Sequence, residues 1–173
     1  MQCVDNPSEI IEFLQREENR NAFGEGREIV RSFPSGHGCC AQLREFFGND
    51  GVALHYEIQV YRRNIFVGIH SEGSTPQSVH MFIRNQFKYT LKERQSETGT
   101  YRFAIQKVDW KGRNFDDILA DIKKAVDALY RKYDAYLNYV EGYYAGKGDV
   151  DGCKSYVDFT RVISPKQEKT KRC

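Results

Sequence analysis

The chain has 173 residues, with 26 Lys plus Arg against 24 Asp plus Glu and a net charge of +2. That balance carries no electrostatic signature of a nucleic-acid partner and excludes a simple acidic mimic of DNA. A hydrophobic fraction of 40%, with eleven Tyr and eleven Phe, marks a globular chain long enough for one domain with a sizeable core.

No apolar run approaches the length of a membrane span, and the opening MQCVDNPSEII lacks the basic-then-apolar layout of a signal peptide. A cytoplasmic protein with no membrane partner is therefore expected. Five cysteines (Cys3, Cys39, Cys40, Cys153 and Cys173) are irregularly spaced and form no Cys-x-x-Cys pair, so free thiols in a reducing compartment are the economical reading.

Asn6-Pro7-Ser8-Glu9 opens a first helix, with Asn6 as N-cap, Pro7 at the first helical position and Glu9 reaching back from the third. Ile10, Ile11, Phe13 and Leu14 give it an apolar stripe, and Gly24 and Gly26 mark the loop that follows. Arg27 to Phe33 reads as a strand, with a helical turn as the alternative. Pro34-Ser35-Gly36-His37-Gly38 then breaks the chain. Cys39 to Phe47 reads as a short helix ending at the turn Gly48-Asn49-Asp50-Gly51.

Val52 to Glu72 is an antiparallel hairpin. Val52, Leu54, Tyr56, Ile58 and Val60 alternate with Ala53, His55, Glu57 and Gln59, and Ile65, Val67 and Ile69 alternate with Phe66, Gly68, His70 and Glu72. The two apolar sets must share a face, which places Val60 opposite Ile65, Ile58 opposite Val67, Tyr56 opposite Ile69 and His55 opposite His70. A four-residue loop, Tyr61 to Asn64, fits better than a tight turn on Arg62-Arg63, because Asn64 tolerates a left-handed conformation.

Thr75 and Pro76 start a second amphipathic helix, carried by Val79, Phe82, Ile83, Phe87 and Leu91 to about Gln95. Tyr101 to Trp110 is a strand apolar on both sides, as befits a more central place in a sheet. Asn114 caps the longest element, residues 115–143, about 40 Å at 1.5 Å per residue. Its C-terminal half is rich in tyrosine and is expected to extend beyond the sheet. Ser155 to Ile163 adds a final strand, and Ser164 to Cys173 is a basic, disordered tail. The fold class is α+β: a small mixed or antiparallel sheet containing the 52–72 hairpin, packed by helices including the long one. Residues 1–163 form one domain and residues 164–173 the tail.

Three functional readings follow. The leading one is a non-enzymatic interaction or regulatory domain that binds a protein partner or itself, with no cofactor. Tyr133, Tyr136, Tyr139 and Tyr143 on the long helix and Arg62 and Arg63 at the hairpin tip would make the contact, since tyrosine and arginine are enriched in interface hot spots.

The alternative is a metal-dependent hydrolase or nuclease-like enzyme. It would hold a divalent metal in a pseudo-symmetric cluster of His55, Glu57, His70 and Glu72, where imidazole and carboxylate suit zinc, manganese or iron. The bland account of that cluster is the back face of an ordinary sheet with complementary cross-strand pairs. Third is nucleic-acid binding through Arg62 and Arg63 at the hairpin tip, Arg84, Lys88 and Lys92, or Lys123, Lys124, Arg131 and Lys132, although aspartates interleave the last set.

Other patterns are weaker. Glu57-x-Gln59 on a strand resembles the acidic strand of the restriction-endonuclease-like fold, but Gln59 stands where that pattern has lysine and no preceding strand clearly supplies the partner aspartate. His37-Gly38-Cys39-Cys40 would put a thiolate at a helix N-terminus with His37 as its base. Asp149-Val150-Asp151-Gly152 opens like a calcium loop but lacks the third acidic position and the closing glutamate.

Overall fold

The hairpin forms with the expected register. In a computed structural model, which describes residues 3–35, 38–46, 54–71, 94–95 and 101–147, β3 (Leu54–Tyr61) pairs antiparallel with β4 (Ile65–Ser71). Val60 faces Ile65, Ile58 faces Val67, Tyr56 faces Ile69 and His55 faces His70. The loop closes with the Tyr61 N–H donating to the Asn64 carbonyl (2.9 Å). Neither Arg62, Arg63 nor Asn64 has a positive φ, so the left-handed conformation expected at Asn64 is not used.

Among the described residues, four further strands extend the hairpin into an antiparallel sheet. β1 (Ile29–Ser35) and β2 (Gly38–Phe46) lie on one side of the hairpin, with β5 (Arg94–Gln95, two residues) and β6 (Tyr101–Val108) on the other. The order is β1-β2-β3-β4-β6-β5, and every pairing is antiparallel.

Of the helix expected from Cys39 to Phe47, the described part, Cys39 to Phe46, is therefore strand. Its apolar residues do recur at helical intervals, but a β-bulge produces the spacing. Leu43 faces Tyr56 and Glu45 faces His55, so Arg44 is the extra residue, and Phe46 returns to the face of Leu43 opposite Leu54. Strand alternation read without the bulge puts Phe46 on the wrong side.

β1 is an edge strand, and its edge is poorly suited to pairing with another chain. A bulge lies between Ile29 and Arg31, Pro34 lacks an N–H, and Arg20 engages Ile29 through both its backbone carbonyl (2.8 Å) and its side chain (3.3 Å).

Among the described residues, two α-helices cover the apolar face of the sheet. α1 (Ser8–Gln15) buries Ile10 and Leu14, and its N-cap is Pro7 rather than the expected Asn6, whose side chain accepts the Ser8 N–H (3.1 Å) from one residue further out. α2 (Phe115–Lys147) begins where Asn114 Oδ1 accepts the Asp117 N–H (2.9 Å). It runs past Gly142 and Gly146, about 50 Å in all. Ile118, Ile122, Ala125, Val126, Leu129 and Leu137 join Leu43, Phe46, Leu54, Tyr56, Ile58, Ile65, Val67 and Ile69 in one core. Full burial of each large aliphatic chain contributes about 1.5–3 kcal/mol.

Among the described side chains, α2 stays on the sheet as far as Asn138. Tyr130 stacks on Tyr56 with ring centroids 4.2 Å apart. Asp134 accepts hydrogen bonds from Arg44 (3.2 Å), Asn138 (3.0 Å) and the Tyr56 hydroxyl (3.4 Å). The bulge that disguised β2 is also what delivers Arg44 to Asp134. Arg27 forms a further ion pair with Asp127 of α2.

The helix expected after Thr75 lies outside the described residues, except that Arg94 and Gln95 are in strand β5. The strand expected at 155–163, the tail and Glu72 also lie outside them. No helix among the described residues is long and apolar enough to cross a membrane.

Candidate metal centre

Alternation alone would leave the second face of the hairpin solvated, since it carries the polar residues. It is buried instead. His55 is 0% exposed, Glu57 and Gln59 4%, and His70 8%, and Gln42 of β2, opposite Glu57, is buried beside them. Buried polar groups must satisfy one another, and a connected set results. The Tyr61 hydroxyl donates to Gln59 Oε1 (2.9 Å), and Gln59 Nε2 donates to Glu57 Oε2 (2.8 Å). His70 Nδ1 lies 3.2 Å from Glu57 Oε2 and 3.2 Å from His55 Nε2.

Cross-strand register makes this cluster. His55 and His70 are direct partners, their rings edge to face at 5.1 Å, and Glu57 follows His55 on the same face. One ligand atom from each of His55, Glu57 and His70 lies within 4.8 Å of the others.

Proton placement decides what the cluster is. If His70 carries its proton on Nδ1, it donates to Glu57 and His55 Nε2, and the His55 proton moves to Nδ1. That atom is buried and has no partner among the described residues. If both imidazoles carry their protons on the outer nitrogens, the His55 proton sits on that same buried Nδ1, and two lone pairs and a carboxylate oxygen converge, which is the donor set of a divalent cation. Ligand atoms around a tetrahedral zinc with bonds of 2.0–2.1 Å stand roughly 3.3–3.4 Å apart. Two of the separations here are 3.2 Å.

Both imidazoles are held neutral, the form a metal requires. Burial, then the neighbouring His70 and the charge of Arg31, lower His55 to about 3. Burial, then Arg102, lower His70 to about 4.

A cavity of about 10 Å³, room for one water-sized sphere, adjoins the cluster. Phe66, Gly68, Ile69 and Ile105 line it together with Glu57, Gln59, His70 and Arg102. Gly68 faces Glu57 across the hairpin and contributes no side chain to fill the space. Beside it the β4–β6 register shifts between Val67 and Ile69, and Ala104 takes a left-handed φ of 50°. A left-handed alanine costs about 1–2 kcal/mol, and bulges of this kind gather near functional sites. Arg102 is the direct partner of His70 on β6 and hydrogen-bonds with the Tyr61 hydroxyl.

Of the sequence candidates, His55, Glu57 and His70 come together, and Glu72 lies outside the described residues. Arg62 and Arg63 are exposed at the hairpin tip. Tyr133 is half-buried against the core, with the Lys132 ammonium over its ring at 5.2 Å. Tyr136, Tyr139 and Tyr143 lie on α2 with side chains outside the described set.

Cys39 sits in a strand rather than at a helix N-terminus, and burial pushes its thiol up to about 11, the opposite of an activated nucleophile. Gln42, Gln59, Gly68 and Arg102 were not candidates. Gln59 and Gly68 stand at polar-face positions that alternation already gives, whereas Gln42 and Arg102 enter only through the β2–β3 and β4–β6 pairings.

No family model matches the chain, and neither the curated proteins nor the solved structures contain a match to it.

Proposed function

We propose that this chain is a metal-binding domain that holds one first-row divalent cation, zinc being the best fit, between β3 and β4. His55 Nε2, His70 Nδ1 and a Glu57 oxygen are the ligands. The observation that carries the reading is the convergence of these atoms on adjacent, rigid strands, within 4.8 Å of one another. Burial and a cavity of about 10 Å³ favour a closed structural or regulatory centre over a hydrolase acting on a large substrate.

The partner-binding reading draws less support. Tyr130 and Tyr133 are already engaged against the sheet, which leaves the exposed Arg62-Arg63 tip as its described element.

Chelator-treated protein titrated with Zn²⁺, Co²⁺ and Mn²⁺ should take up one equivalent and melt at higher temperature, because a ligand of the folded state raises stability. Glu57→Gln keeps the side-chain volume and should abolish uptake. Absence of both uptake and thermal shift for all three ions would sink the reading.

A further inference from the structure

Glu57 ends a chain of hydrogen bonds whose direction is set from its other end. Arg102 can only donate, so the Tyr61 oxygen accepts from it and the hydroxyl hydrogen is directed to Gln59 Oε1 (2.9 Å). With its oxygen committed there, the Gln59 amide turns its nitrogen to Glu57 Oε2 (2.8 Å). Oε2 is therefore an acceptor and carries no proton, and it is the same oxygen that stands 3.2 Å from His70 Nδ1. A cation between these two atoms would meet a carboxylate already turned to receive it.

The outer part of the chain is itself anchored. Tyr61 is held at its carbonyl by the Trp110 indole N–H (3.3 Å) and at its N–H by the Asn64 carbonyl (2.9 Å). Its ring packs edge to face on Phe66 at 5.6 Å. Gln59 is buried, so bulk water cannot stand in for either of its partners.

Resting on the metal reading above, we propose that Gln59 and Tyr61 are positioning residues that set the affinity of a centre to which neither contributes a ligand. They act by holding the Glu57 carboxylate in its ligating orientation. Without the hydroxyl, the Gln59 oxygen loses its partner and the amide is free to turn away from Glu57. Outer partners of this kind govern metal affinity by about 10–100-fold.

The experiment titrates full-length, chelator-treated protein with Co²⁺, followed by visible absorption, alongside urea unfolding of the metal-free form. Tyr61→Phe removes the hydroxyl alone and should weaken Co²⁺ by about tenfold, with one equivalent still bound at saturation. Gln59→Met keeps the length of the side chain but cannot donate, and should weaken Co²⁺ by about tenfold or more. The double variant should bind within about threefold of Gln59→Met, because the hydroxyl acts through the amide.

Tyr61→Phe binding Co²⁺ as tightly as the parent, with only its urea midpoint lowered, overturns the proposal and leaves the metal reading standing. Additive losses in the double variant overturn the route through Gln59. A parent that takes up no Co²⁺ overturns the metal reading and this proposal with it. Unchanged far-ultraviolet circular dichroism of the metal-free variants separates lost affinity from misfolding.

Discussion

Two buried neutral histidines make a quantitative prediction about acid stability. In the unfolded chain each imidazole titrates near 6.5, whereas in the metal-free fold His55 is held at about 3 and His70 at about 4. Because the folded values are depressed, stability is fully present above the unfolded value and is lost as pH falls towards the folded ones. In that window the unfolded chain binds protons that the folded chain cannot, so unfolding free energy must rise with pH.

At pH 5, about one and a half pH units below 6.5, each histidine contributes a loss of about 2 kcal/mol, roughly 4 kcal/mol together. That is a large share of the roughly 5–15 kcal/mol that stabilises a typical domain. Urea unfolding of chelator-treated protein at intervals from pH 8 to pH 5 measures it. The expected curve is flat above about pH 7.5 and falls below it, and His70→Gln should remove close to half of the fall. A stability that stays level between pH 7.5 and pH 5 would refute the burial argument, and one that rises on acidification would reverse its sign.

Three further changes test other parts of the fold. Ala104→Val places a good strand former in a strand, yet it should destabilise by about 2 kcal/mol in thermal unfolding, because a β-branched residue tolerates a left-handed φ poorly. Gly38→Ala should cost about 2–4 kcal/mol in urea unfolding, since a Cβ there collides with the Val60 carbonyl oxygen of β3. Asp134→Ala should cost about 2 kcal/mol by the same assay, because Arg44 and the Tyr56 hydroxyl lose a shared acceptor. If Asp134→Ala and Arg44→Met proved additive, the proposed coupling between them would be absent.

The hairpin was legible in the sequence because two apolar sets forced onto one face leave a single register, and that register makes His55 and His70 partners. What alternation cannot report is exposure. It separates polar from apolar positions, and nothing in the pattern of His55, Glu57 and Gln59 indicates that their side of the sheet is dry. β2 was unreadable for a different reason. Arg44 shifts the phase of the strand by one residue, so Leu43 and Phe46 imitate a helical interval. Arg102 was out of reach because its place beside His70 depends on a strand pairing across some thirty residues, with no local signal. Asn114 was read correctly as a cap, since capping is local chemistry, whereas the end of α2 was placed too early at Tyr143. One glycine costs only about 1 kcal/mol in a helix, too little to halt a long one that is anchored elsewhere.

The isolated bridge between Cys3 and Asn114, with the Val4 N–H donating to the Arg113 carbonyl at 2.7 Å, has a consequence for how the chain acquires its structure. Val4 is buried, and its partner lies roughly 110 residues further along the chain. During synthesis the β1–β2 and β3–β4 hairpins can close as soon as they emerge, but the bridge at Cys3 and Val4 cannot form until the start of α2 has left the ribosome. This bridge thus acts as a late latch. Once closed, it anchors the first turn of the helix that spans the sheet, so losing the Cys3–Val4 segment would loosen the start of that helix as well.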